Sequence, residues 1–139
     1  MSDQSELNDS NNPPAAVVVS RSVACPVKRV WKELMTSQGA EALLGPGAAF
    51  GEKGQSWTSA DGLTGVVRTL HPLEEIRFSI RQDDREPSMV QIDLVPEGDK
   101  TTLTVTHSNL RDDTDRLWLT GRWEAALGRI DAYLMDDAA

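Results

Sequence analysis

The sequence predicts an α+β fold: an antiparallel sheet of about six strands curved around a long C-terminal helix, with two short helices after the first strand. Three observations carry this. Val17 to Met35, VVVSRSVACPVKRVWKELM, reads as a strand running straight into an amphipathic helix. Gly121 to Leu134, GRWEAALGRIDAYL, closes the folded part on a second amphipathic helix. Between them lie alternating apolar and polar runs separated by turn residues, with no βαβ pattern. A sheet wrapped around a helix leaves room for a cavity, so the architecture suggests a container more readily than a catalytic machine.

The elements follow in order. Residues 17 to 24 are rich in Val and read as a strand. Pro26 then stands in the first turn of a helix, where its missing N–H costs nothing. Val27, Val30, Trp31 and Leu34 recur at i, i+3, i+4 and i+7 on one face, with Lys28, Arg29, Lys32 and Glu33 opposite. A second short helix over Ser37 to Leu44 ends at Gly45-Pro46-Gly47. Gln55 to Ala60 and Thr64 to Leu70 flank Asp61-Gly62, a hairpin signal, and Pro72 ends the second of these strands. Glu75 to Arg81 alternates Ile76, Phe78 and Ile80 against Arg77, Ser79 and Arg81. After a charged turn from Arg81 to Pro87, Met89 to Val95 turns Val90, Ile92 and Leu94 to one side. Pro96 to Asp99 is a turn, and Lys100 to His107 aligns Leu103, Val105 and His107. The last helix is expected to start near Asp112 or Asp113, either of which suits an N-cap. Leu119, Trp123, Ala126, Leu127, Ile130 and Leu134 form its apolar stripe, and Trp118 lies well off it.

Composition sets outer limits. A chain of 139 residues is one domain by length, long enough to bury a core without disulfides or metals. Residues 1–14 hold Leu7 as the sole large apolar side chain after the initiator and are expected to be a disordered tail before a single domain at 15–139. The net charge is −8 and the pI about 4.7, which argues against nucleic acid and anionic lipid as partners. No apolar run reaches the ~20 residues of a membrane span, and no secretory signal opens the chain. Cys25 is the single cysteine, so no internal disulfide forms. A cytoplasmic location is the expectation.

Three pieces carry a family likeness. The first is the opening strand, the turn with Pro26, and the helix with Trp31 in its first two turns. The second is GVVRTLHP, Gly65 to Pro72, followed by EIRFSIR. The third is TTLTVTHSNL, Thr101 to Leu110, followed by WEAALGRIDAYL. In this order the chain resembles the SRPBCC or START-like superfamily, whose architecture is called helix-grip. Within it, the chain is similar to the bacterial proteins named after the activator of the heat-shock-protein-90 ATPase. The likeness covers nearly all of Val17 to Leu134 and departs in two places. Leu43-Leu44-Gly45 stands where relatives often carry Trp, and Gly121-Arg122-Trp123 where they often have adjacent Gly-Trp.

Catalytic and metal signatures are absent. There is no H-E-x-x-H, no Cys/His pair at ligand spacing, no phosphate-binding glycine pattern and no G-x-S-x-G elbow. Asp83-Asp84, Asp112-Asp113 and Asp136-Asp137 read as solvated turns and ends. Cys25, at a helix N-terminus without a histidine nearby in sequence, reads as a small residue at a joint. His71 precedes Pro72 at a strand end; His107 ends a strand on the apolar face, either as a hydrogen-bonding or general-base group or as a structural one.

No catalytic, metal or cofactor residue is therefore assigned, and the expected ligand is a small apolar or amphipathic molecule. Its wall is expected to be built by Phe78, Ile92, Val105, His107 and Trp123, with Trp57, Thr69 and Trp118 as further contacts. Two alternatives stand beside it. A cyclase, dehydratase or hydrolase would need a polar group such as His107 or Thr69 aimed into the cavity. A chaperone-regulating interaction module, as the resemblance implies, would instead use an exposed apolar patch.

Overall fold

Strand β1 (Val17–Val23) leads into α1 (Val27–Leu34) and α2 (Ser37–Leu44), followed by β2 (Ser56–Thr58), β3 (Leu63–His71), β4 (Glu75–Gln82), β5 (Ser88–Glu97), β6 (Lys100–Ser108) and α3 (Arg116–Ala138). The computed structural model describes residues 16–82, 85–110 and 115–138. The expected tail at 1–14, the Asp83-Asp84 turn and the capping candidates Asp112 and Asp113 lie outside the described residues. As described, α3 begins at Arg116, and Asp115 caps it: its Oδ1 accepts from the Trp118 N–H at 3.0 Å.

All strands pair antiparallel in one open sheet, ordered β1-β6-β5-β4-β3-β2. Alternation sets the inner face. Val17, Val19 and Val23 of β1, Ile76, Phe78 and Ile80 of β4, Val90, Ile92 and Leu94 of β5, and Leu103, Val105 and His107 of β6 are all buried. The apolar stripe of α3, Leu119 to Leu134, is buried against them in one core cluster. Val30 and Leu34 of α1 and Leu43 and Leu44 of α2 close that cluster. Each such side chain contributes about 1.5–3 kcal/mol when fully buried.

Polar contacts tie the layers at their margins. The Thr101 hydroxyl donates to the Cys25 carbonyl at 2.8 Å, fixing the β1–α1 joint; Cys25 itself is buried. Arg21 pairs with Asp131 of α3 at 2.9 Å, and Arg29 donates to the Leu134 carbonyl at 3.0 Å. Thr36 caps α2 through the Gly39 N–H.

Strand β3 is irregular. Its register against β4 shifts between Val67 and Thr69, a β-bulge. Past the bulge, Leu70 stands opposite inward-facing Ile76, and Thr69 stands opposite exposed Arg77. Simple alternation from Val67 would turn Thr69 inward. The extra residue turns it to the outer face instead.

Candidate functional site

The space between sheet and α3 is filled in the middle and open at one end. In the middle, Phe78 lies between Phe50 and Trp57, edge-to-face, with ring centroids at 5.7 and 6.0 Å. Ile92, Val105 and Trp123 are fully buried beside it. At the end, where α3 begins, a cavity of about 300 Å³ opens between the sheet and the first turn of the helix. Leu63, Ile80, Leu110, Trp118 and Leu119 make its apolar wall. Ser88, His107 and Asn109 are polar groups that line it, and Arg85, Glu86 and Asp115 add charge. Asn109 has φ 60°, a left-handed conformation Asn tolerates, and its side-chain N–H donates to the Pro87 carbonyl at 3.2 Å.

A buried hydrogen-bonded chain separates the two zones. The Trp123 indole Nε1–H donates to His107 Nδ1 at 3.1 Å, and His107 Nε2 lies 2.7 Å from Ser88 Oγ. An indole N–H can only donate, so Nδ1 must carry a free lone pair. The imidazole is then neutral with its proton on Nε2, and that N–H donates to Ser88 Oγ. The electrostatics agree: burial first, then the Arg122 charge, lowers the His107 pKa from 6.5 to about 4. The Arg122 guanidinium sits 4.5 Å over the Trp123 ring, and one of its nitrogens, Nη1, is buried without a hydrogen-bond partner. Burial lowers the Arg122 pKa in turn, against the Asp61 charge, which raises it.

A serine 2.7 Å from a histidine resembles a nucleophile–base pair. The direction of the bonds argues otherwise. Nε2 already holds a proton and Nδ1 accepts from Trp123, so neither nitrogen can take the Ser88 proton.

Of the residues singled out in the sequence, the structure brings His107 and Trp118 to the cavity. His107 is 4% exposed and Trp118, off the buried stripe, is 65% exposed at the mouth. Phe78, Ile92, Val105 and Trp123 do not line it; they are the packed middle, because aromatic neighbours occupy the space expected to be open. Trp57 is 3% exposed and lines a separate groove with Arg68 and Arg81. Thr69 is carried to the outer face by the bulge. His71 is exposed, 3.8 Å from Glu75.

Sequence reasoning passed over Ser88. Its signal was present, since continuing the Val90, Ile92, Leu94 alternation two residues back places Ser88 on the inner face. Leu63, Leu110 and Asn109 carry no such signal, lying at a strand start or in a loop. Among the described residues, no group of three or more His, Cys, Asp or Glu is placed to hold a metal, and no helix is long and apolar enough to cross a membrane.

Comparison with known proteins bears on the fold and the family. The family described as activator of Hsp90 ATPase homolog 1-like protein matches residues 24–135. No curated protein matches. Among solved structures, DynU16 of the dynemicin biosynthetic locus superposes with a TM-score of 0.77 at 24% identity, covering 88% of this chain and 48% of DynU16. The present chain thus spans about half the length of that protein. MLL2253 from Mesorhizobium loti matches with a TM-score of 0.75 at 21% identity, over 89% of this chain and 98% of its own. Aha1 from Colwellia psychrerythraea, solved as a dimer, gives 0.73 at 16% identity, over 86% and 96%. The solved structures show a shared fold, and the family match over most of the chain establishes that it belongs to the activator of Hsp90 ATPase homolog 1-like family of the SRPBCC, START-like superfamily.

Proposed function

We propose that the protein binds a small amphipathic molecule in the cavity at the start of α3, without catalysing a reaction on it. The observation that carries this is the lining: an apolar wall of Leu63, Ile80, Leu110, Trp118 and Leu119 meets a few convergent polar groups in an opening of about 300 Å³. That is the usual chemistry of a ligand site, at the lower end of the usual size range of roughly 300–1,000 Å³. It suits a single-ring or short-chain amphiphile better than a sterol. The occupied lone pair of His107 supports binding over general-base chemistry.

A thermal-shift screen tests the reading, with short fatty acids and substituted single-ring aromatics set beside sterols, nucleotides and divalent metals. A ligand at a hundred times its dissociation constant stabilises by about 2.7 kcal/mol. Stabilisation by a small amphiphile, weakened in Trp118→Ala, is the expected result. Stabilisation by nucleotide or metal alone refutes the reading.

A further inference from the structure

We infer that the cavity selects ligands carrying a hydrogen-bond acceptor, a carbonyl or carboxylate oxygen, and that Trp123, which does not line the cavity, dictates this through His107 and Ser88. The inference rests on the binding site proposed above and names the chemistry of its ligand.

The argument is one of hydrogen-bond direction. Trp123 Nε1–H is an obligate donor, 3.1 Å from His107 Nδ1. Its donation forces the His107 proton onto Nε2, which donates across 2.7 Å to Ser88 Oγ. Ser88 therefore receives a hydrogen bond from the protein and retains its own O–H to give. Within the protein that O–H has the Ile80 carbonyl, at 3.4 Å, the outer limit of a useful bond. Ser88 and His107 both line the cavity. Beside the charged groups at its rim, the cavity thus shows the ligand a hydroxyl with an engaged acceptor and a weakly held proton. An entering carbonyl or carboxylate oxygen takes that proton in a shorter, better aligned bond. An apolar molecule of the same shape leaves that proton on its long bond; a cation does not probe this group, because the Glu86 and Asp115 carboxylates share the lining.

Position makes the arrangement selective. Trp123 is fully buried and His107 is 4% exposed, so water does not compete to reorient the imidazole. Ser88 is placed by register, opposite Ile80 across the β4–β5 pair, while His107 stands opposite Val90 and Val17 on its two flanking strands. A neutral histidine at an open site chooses between two tautomers; here its buried neighbour makes the choice.

The test has two readouts on the intact protein. The first needs no ligand: the His107 tautomer is read from long-range ¹H–¹⁵N couplings at pH 7. The Nε2–H form is expected in wild type, and Trp123→Phe should admit the Nδ1–H form. An Nδ1–H imidazole in wild type overturns the inference. The second readout is the affinity of two probes of similar size: acetophenone (acceptor) and ethylbenzene (neither). Acetophenone should bind several-fold more tightly than ethylbenzene, as one neutral hydrogen bond allows. Trp123→Phe, which lets Nε2 accept the Ser88 proton, should level acetophenone with ethylbenzene. Equal binding of those two in wild type, or an acetophenone preference undiminished in Trp123→Phe, overturns the inference while leaving a binding cavity in place. Failure of both probes overturns the binding site and the ligand class together.

Discussion

The middle and the end of the sheet–helix interface are built from the same alternating strands and the same helical stripe, yet one is solid and the other hollow. In the middle, Phe50 and Trp57 press on Phe78 from the loop after α2 and from β2, and Trp123, Ile92 and Val105 are fully buried in the same core cluster. At the end, the helix is only beginning, and its first turn offers Trp118 to solvent and Leu119 to the core. Periodicity decides which side chains face inward, and the volume delivered by neighbouring segments decides whether the inside is full. His107 belongs to both zones, with Nδ1 in the packed part and Nε2 at the cavity.

The comparison breaks most readily at Trp123. Trp123→Ala should cost about 3–5 kcal/mol, since it removes a fully buried indole and orphans His107 Nδ1. Denaturant unfolding measures it, and a loss under about 1 kcal/mol shows the middle to be soft.

Protonation probes the boundary. The folded pKa of His107, about 4, lies below its ordinary 6.5, so between those values the unfolded chain binds more protons. The neutral imidazole's contribution is full above about pH 6.5 and declines as pH falls; it is gone below about pH 4. The shift corresponds to about 3 kcal/mol. Unfolding free energies of wild type and His107→Gln should therefore converge on acidification. Parallel curves across that window dismiss a neutral, locked histidine.

Smaller effects are expected at the hollow end. Ser88→Ala leaves His107 Nε2–H facing the cavity and should cost about 1 kcal/mol by equilibrium unfolding. Trp118→Ala should change stability by no more than about 0.5 kcal/mol while weakening ligand binding, because the indole stands at the mouth and not in the core. A Trp118 variant as damaging as Trp123→Ala erases the distinction between the zones.

Much of this was legible in the chain. Val27, Val30, Trp31 and Leu34 marked α1, and the Asp61-Gly62 pair marked the β2–β3 hairpin. The alternation of Ile76, Phe78 and Ile80 separated inner from outer face, because each signal is local and backed by burial. Trp118 was readable as off the stripe. What escaped depended on partners distant in sequence. The bulge that reverses Thr69 exists only in the pairing of β3 with β4, and nothing in Val66 to Leu70 announces it. Phe50, from a glycine-rich loop, fills space that strand alternation leaves unassigned. The start of α3 was placed by its candidate caps, Asp112 and Asp113, when Asp115 does the capping.

The pairing of β1 with β6 has a consequence in time. Ser20 and Thr104, whose hydroxyls meet at 2.9 Å, are 84 positions apart. The first strand is therefore translated long before its partner exists, and its valine-rich edge stays without ladder bonds until β6 emerges. Local hairpins such as β5–β6 can close within microseconds, whereas the β1 contact requires most of the chain to be gathered first. The folding rate should accordingly respond to the β5–β6 turn at Gly98-Asp99 more than to β1. Val17 to Val23, waiting unpaired, is the segment through which a half-made chain would find another copy of itself.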